Sequence, residues 1–176
     1  MKVILVRHTS VGVPPGTCYG QTDVPLRSTF LEEAEAVHRQ LAGYGPFDKV
    51  YTSPLSRCTR LADYCGHADA VHDVRLLELD FGIWEMQRYD EIRDPRLAAW
   101  YADYLHVPAT GGESFAGQLH RVSCFLDELR GKDYRRVAVF THGGVMACAQ
   151  VYAGLVRPEE AFGRVPSYGG IFPILL

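Results

Sequence analysis

The chain has 176 residues, 47% hydrophobic, 22% charged and 11% aromatic, which suits one packed domain spanning 1–176 and excludes a disordered, fibrous or membrane-embedded protein. Eighteen Lys and Arg against 21 Asp and Glu leave a net charge of −3, too little positive field to gather nucleic acid or an anionic membrane. Any anionic substrate must therefore be met by local charge.

Residues 2–7 (KVILVR) read as a buried strand, and the Gly- and Pro-rich stretch 9–27 as a long loop of the kind that often carries function. Thr29 and Glu32 have capping-box spacing before a helix whose Leu31, Ala34, Val37, His38 and Leu41 share a face, stopped by Gly43 and Gly45. DKVYT at 48–52 predicts a second strand, and Ser53-Pro54 predicts the cap and first residue of a helix carrying Leu55, Cys58, Leu61, Ala62 and Cys65 to Gly66. A third strand is expected near 70–72, and a helix over 89–104 that Pro95 kinks or breaks. The spacing of Phe115, Leu119, Val122, Leu126 and Leu129 predicts a helix over 114–130, followed by strand 136–141 (RVAVFT) and a helix from Gly143. GGIFPILL reads as a last strand, with Pro173 placing it at an edge. Alternating strands and helices imply a three-layer α/β/α sandwich with a mostly parallel sheet.

Ligands of such sheets bind beyond the carboxyl ends of the strands. Arg7-His8 follows the first strand, Ser53 to Arg57 the second, and Thr141-His142-Gly143-Gly144 the strand from Arg136. Two histidines, two arginines and two helix N-termini thus meet at one edge, a constellation shaped for phosphate. Such a site needs no metal for phosphoryl transfer: guanidinium groups match the charge of the transferring group, and nearby arginine charge keeps His8 neutral and nucleophilic. Neither a phosphate loop nor a nucleophile elbow occurs, and His67, Asp69 and His72 lack partners for a convincing zinc site. The leaving oxygen needs a proton, and Glu78 in Leu76-Leu77-Glu78-Leu79 is the candidate donor; a Glu paired with an arginine is the alternative, and the residues alone leave both open. No cofactor or metal is expected. A thiol enzyme built on Cys58 or Cys148 is disfavoured because Cys58 lies on an apolar helix stripe. The five cysteines are odd in number and without Cys-x-x-Cys spacing, and the apolar N-terminal run is too short for a signal segment, so free thiols and a cytoplasmic setting are expected.

LVRHT at 5–9, SPLSRCTRLA at 53–62, LLELDFGIWE at 76–85 and THGG at 141–144 together resemble the histidine phosphatase superfamily, which includes the cofactor-dependent phosphoglycerate mutases. The resemblance implies a phosphoglycerate mutase-like fold and phosphomonoester chemistry on a small-molecule substrate. It also implies that His8 forms a phosphohistidine and that Arg7, Arg57 and His142 hold the phosphate with the Gly143 amide. Glu78 would protonate the leaving group and later activate water. Thr9 stands where the family usually has glycine, and Pro14 where a phosphate-contacting Asn often lies. Cys18-Tyr19-Gly20-Gln21-Thr22-Asp23, Trp84-Glu85-Met86 and Gly111-Gly112-Glu113-Ser114 are similar to the α-ribazole phosphatases, which implies hydrolysis of α-ribazole 5′-phosphate and substrate contacts from Tyr19, Gly20 and Gln21. A broad phosphatase, a mutase and a silent phosphate-binding module are the alternatives. An aromatic base could stack on Tyr19, Trp84 or Trp100, each of which could also be a core or rim residue.

Overall fold

The computed structural model describes residues 1–176. Five strands, β1 (Lys2–Arg7), β2 (Lys49–Thr52), β3 (Val71–His72), β4 (Arg136–Thr141) and β5 (Ile171–Leu175), form one sheet in the order β3-β2-β4-β1-β5. All neighbours run parallel except β5, which pairs antiparallel with β1 at the edge. There Pro173 lies opposite Ile4, tolerated because β5 has only one partner.

The helices are α1 (Phe30–Ala42), α2 (Ser56–Tyr64), α3 (Arg96–Ala102), α4 (Phe115–Arg130) and α5 (Gly143–Tyr152). Alternation along the strands divides the core between two faces. Ile4, Val6, Ala138 and Phe140 pack with Phe30, Ala34, Val37 and Leu41 of α1 and Cys58 and Leu61 of α2. Val3, Leu5, Val137 and Val139 pack with Val122, Phe125, Leu126 and Leu129 of α4 and Val145 to Ala149 of α5. The fold is thus an α/β sandwich of three layers, in which each fully buried Leu or Phe contributes about 1.5–3 kcal/mol.

Several local expectations are corrected. The Thr29–Glu32 capping box does not form: the Thr29 hydroxyl donates to Glu33, whose carboxylate also accepts from the N–H and hydroxyl of Ser10. The buried stripe of α1 runs through Phe30 instead of Leu31, leaving Leu31 and His38 in solvent. α2 starts at Ser56, not Pro54: the Ser53 oxygen meets His142 and the Leu55 N–H, and Asp23 from the preceding loop accepts the Ser56 N–H. Of the helix expected over 89–104 only the part after Pro95 forms, so Pro95 breaks the pattern and does not kink it. It precedes the short α3, and the Asp94 carboxylate is shared between the Arg96 N–H and the Trp84 indole. No helix is long and apolar enough to cross a membrane.

Candidate active site

The strands deliver the site. β1 and β4 are in register to Arg7 and Thr141, and the next residue of β1 continues the ladder, with the His8 N–H donating to the Thr141 carbonyl at 3.0 Å. The Ser53 N–H likewise donates to the Phe140 carbonyl at 2.9 Å. Three strand ends therefore set His8, Ser53 and His142 side by side, and the His8 and His142 rings meet edge to face at 5.2 Å between centroids.

Both imidazoles are buried and their protons are assigned by their neighbours. His8 Nδ1 lies 2.7 Å from the Thr9 carbonyl, an acceptor, so Nδ1 carries the proton and Nε2 keeps its lone pair. Burial, then the charges of Arg57 and Arg7, push the His8 pKa down to about 3. His142 Nδ1 accepts from Arg57 Nε at 3.2 Å, leaving Nε2–H to donate to the Ser53 hydroxyl at 2.8 Å. Burial and the Arg57 charge hold it well below the ordinary histidine value as well. Near neutrality the site presents two neutral imidazoles beside two permanent cations.

Arg57 is buried at the start of α2, its terminal nitrogens donating to the carbonyls of Gly20 and Thr22. Arg7 donates to the Pro166 carbonyl at 2.6 Å and stacks on the Tyr168 ring at 4.3 Å. Gly143 opens α5, so its N–H has no acceptor within the helix, and a Cβ there would sit 3.3 Å from the Arg7 guanidinium. The Glu78 carboxylate accepts from the Leu79 and Gly144 amides at 2.8 and 3.1 Å and from Gln118 at 3.0 Å. No arginine pairs with it, which removes the alternative left open above, and its surroundings are rich in donors where the sequence suggested an apolar setting. A Cβ on Gly144 would lie 2.3 Å from Glu78 Oε1, so this helix start must be glycine for the carboxylate to reach it.

Arg7, His8, Tyr19, Glu78, Phe81 and Phe162 line one cavity of about 250 Å³. A neutral imidazole nitrogen, a carboxyl group and fixed N–H and guanidinium donors around one open pocket can bind a phosphoryl group and move it with a proton. Residues 3–167 match the model of the histidine phosphatase superfamily, branch 1. The chain belongs to that superfamily.

It is 29% identical over 146 residues to a phosphoserine phosphatase of Hydrogenobacter thermophilus, covering 79% of this chain and 69% of that one. It is 28% identical over 158 residues to a probable phosphoglycerate mutase of Proteus mirabilis, covering 84% and 72%. It spans only 36% of several longer mycobacterial relatives. In structure it is similar to an α-ribazole phosphatase from Shigella flexneri, with a TM-score of 0.88 at 25% identity over 98% of this chain and 89% of that one.

For this histidine phosphatase superfamily member the loop residues expected to touch substrate divide. Tyr19 lines the cavity, whereas Gly20 gives its carbonyl to Arg57 and packs so tightly that a Cβ would fall 1.8 Å from the Leu79 carbonyl. Gln21 sends its side chain to the Glu78 carbonyl. Trp84 is fully buried and bonded to Asp94, and Trp100 packs against it, so of the three aromatic residues considered for stacking only Tyr19 borders the cavity. Cys58 and Cys148 are free and buried, with burial pushing both thiols up, which suits core packing.

Sequence reasoning missed Ser53 as the partner of His142, Gln118 and Arg121 around Glu78, Glu85 beneath the loop, and Tyr168 over Arg7 and His8. Ser53 and Glu85 lay within motifs already singled out, though without these roles. The others are set by packing between distant segments.

Proposed function

We propose that this protein is a phosphomonoesterase working through a phosphohistidine on His8, and that its substrate is α-ribazole 5′-phosphate, released as α-ribazole and phosphate in cobalamin nucleotide-loop assembly. The observation that carries the reading is a buried, neutral His8 with a free Nε2 in the same cavity as Arg7 and Glu78, with Arg57 and His142 beside it.

In this reading Nε2 attacks phosphorus as the bond to the leaving oxygen breaks, and the protonated Glu78 carboxyl gives its proton to that oxygen. Arg7, Arg57 and the Gly143 amide hold the equatorial oxygens; His142 joins them if its Nε2–H turns from the Ser53 hydroxyl to a phosphate oxygen. Water then attacks phosphorus, its proton passes to the Glu78 carboxylate, the P–N bond breaks and phosphate leaves. The choice of α-ribazole phosphate is supported by the loop and Trp84-Glu85-Met86 segments and by the likeness to the Shigella enzyme. The four buried thiols, none in a disulfide, fit a cytoplasmic setting.

A mutase, favoured by the similarity to a phosphoglycerate mutase, is the second reading; it would return the phosphoryl group to another hydroxyl. Steady-state kinetics on α-ribazole phosphate beside phosphoserine, phosphoglycerate, sugar phosphates and nucleotides test the proposal. A clear preference for α-ribazole phosphate with orthophosphate release, without a bisphosphate primer, is expected. Equal kcat/KM across the panel would replace the specific assignment with a broad phosphatase, and phosphoryl return without release would favour the mutase.

A further inference from the structure

We propose that Tyr19 and Tyr168 together select the alcohol half of the substrate, and that this half carries a planar ring seated in a second cavity behind Tyr19. The inference rests on the phosphomonoesterase reading and deepens it.

The second cavity, of about 350 Å³, is walled by Val11, Val13, Pro14, Pro15 and the rings of Tyr19 and Tyr168. It shares Thr17, Tyr19 and Tyr89 with the cavity that holds His8, so the Tyr19 ring stands between the two. The Tyr19 hydroxyl meets the Tyr168 hydroxyl at 2.6 Å. The phosphate-facing cations hold the same two rings, with the Arg57 guanidinium 5.5 Å from the Tyr19 centroid and that of Arg7 4.3 Å from Tyr168. The Tyr168 ring also lies 5.5 Å from that of His8.

Tyr168 is not a loosely placed surface residue. The next two residues are tied to the end of β1, the Gly169 N–H donating to the His8 carbonyl at 3.0 Å and the Gly170 carbonyl accepting from the Arg7 N–H at 2.9 Å. Gly169 has φ +69°, a left-handed turn that brings the chain back over the site and disfavours any other residue there. The ring is thus set over Arg7 by backbone pairing.

The chemistry of the second cavity decides what fits. Its walls are mainly aliphatic, proline and tyrosine, with Ser10 and Thr17 as the small polar residues and no acidic side chain, and its one cation, Arg27, is exposed to screening by water. A short polar alcohol such as serine gains little from these walls. A flat ring gains stacking on two fixed tyrosines and burial against Val11, Val13 and Pro14. Pro14 therefore serves the ring side of the site rather than the phosphate.

The test compares kcat/KM for a purine riboside 5′-phosphate and for phosphoserine. Both are esters of a primary alcohol handled by the same phosphate pocket, so their ratio isolates the alcohol half. The ratio is expected to favour the riboside in the unaltered protein and to fall about tenfold in Tyr168→Ala, the worth of a stacked aromatic pair with its buried area. Tyr168→Phe, which keeps the ring and loses the hydroxyl bond, is expected to lower it by a smaller factor. An unchanged ratio in both variants, or a preference for phosphoserine in the unaltered protein, would overturn the inference while leaving the phosphatase reading intact. Absence of orthophosphate release from both esters and from α-ribazole phosphate by the unaltered protein would overturn that reading, and this inference with it.

Discussion

Arg57 Nε donates to His142 Nδ1 at 3.2 Å while the other nitrogens of the same guanidinium donate to the Gly20 and Thr22 carbonyls. One planar group thereby fixes a histidine tautomer, anchors the loop and supplies positive charge beside His8. A lysine cannot span these acceptors. In Arg57→Lys we expect kcat/KM to fall by about 10²-fold or more and orthophosphate inhibition to weaken in parallel. A change of only a few-fold in both would remove Arg57 from the phosphate pocket.

Glu78 accepts three N–H donors where α5 begins, which fixes its carboxyl group in the cavity. Glu78→Gln keeps the shape and removes the exchangeable proton. Its kcat is expected to drop by about 10²–10⁴-fold for an alkyl phosphate ester but only slightly for nitrophenyl phosphate, whose leaving group needs no proton. Equal losses for the two esters would show that Glu78 does not protonate the leaving group.

The strands and the chemistry at their ends were legible because both faces of the sheet are covered: VILV and VAVF are continuous apolar runs, the first followed directly by Arg7-His8 and the second by Thr141-His142. Local signals failed where a distant segment took the local partner. Ser53 would cap α2, but its oxygen meets His142, and Thr29 pairs with Glu33, which also holds Ser10, instead of forming a box with Glu32. Tyr168 carried no motif at all. Its role depends on Gly169 and Gly170 pairing with β1 across more than 150 residues, which no local pattern records.

Glu85 lies under the loop, its two oxygens accepting the Gln21 and Thr22 amides, the Thr22 hydroxyl and the Phe81 amide. Thr22 and the neighbouring Gly20 in turn present the carbonyls that hold Arg57. Glu85→Gln replaces one acceptor oxygen by an NH₂ that opposes the N–H groups facing it. Stability by urea unfolding is expected to fall by about 1–3 kcal/mol, and KM for the ester to rise more than kcat falls. A variant with unchanged stability and KM would show that the loop is held without Glu85.

The buried histidines make stability depend on pH. An unfolded histidine takes a proton near pH 6.5, whereas His8 in the fold does so only near 3, and His142 is likewise lowered. Their contribution is therefore complete above about pH 6.5 and is lost as the pH falls toward 3, at about 1.4 kcal/mol per pH unit for each group. Urea unfolding between pH 6.5 and 5 is expected to show this decline, made shallower by one proton in His8→Asn. A flat profile, or the same slope in the variant, would show that His8 is not held neutral by the fold.

The central claim is that His8 Nε2 carries the phosphoryl group. The direct measurement is an acid quench during turnover of a phosphate ester labelled on phosphorus, raised at once to alkaline pH, with the modified residue located by mass spectrometry. An acid-labile, alkali-stable phosphoryl group on His8, absent from His8→Ala, is predicted. Label on any other residue, or label that persists in His8→Ala, would contradict it.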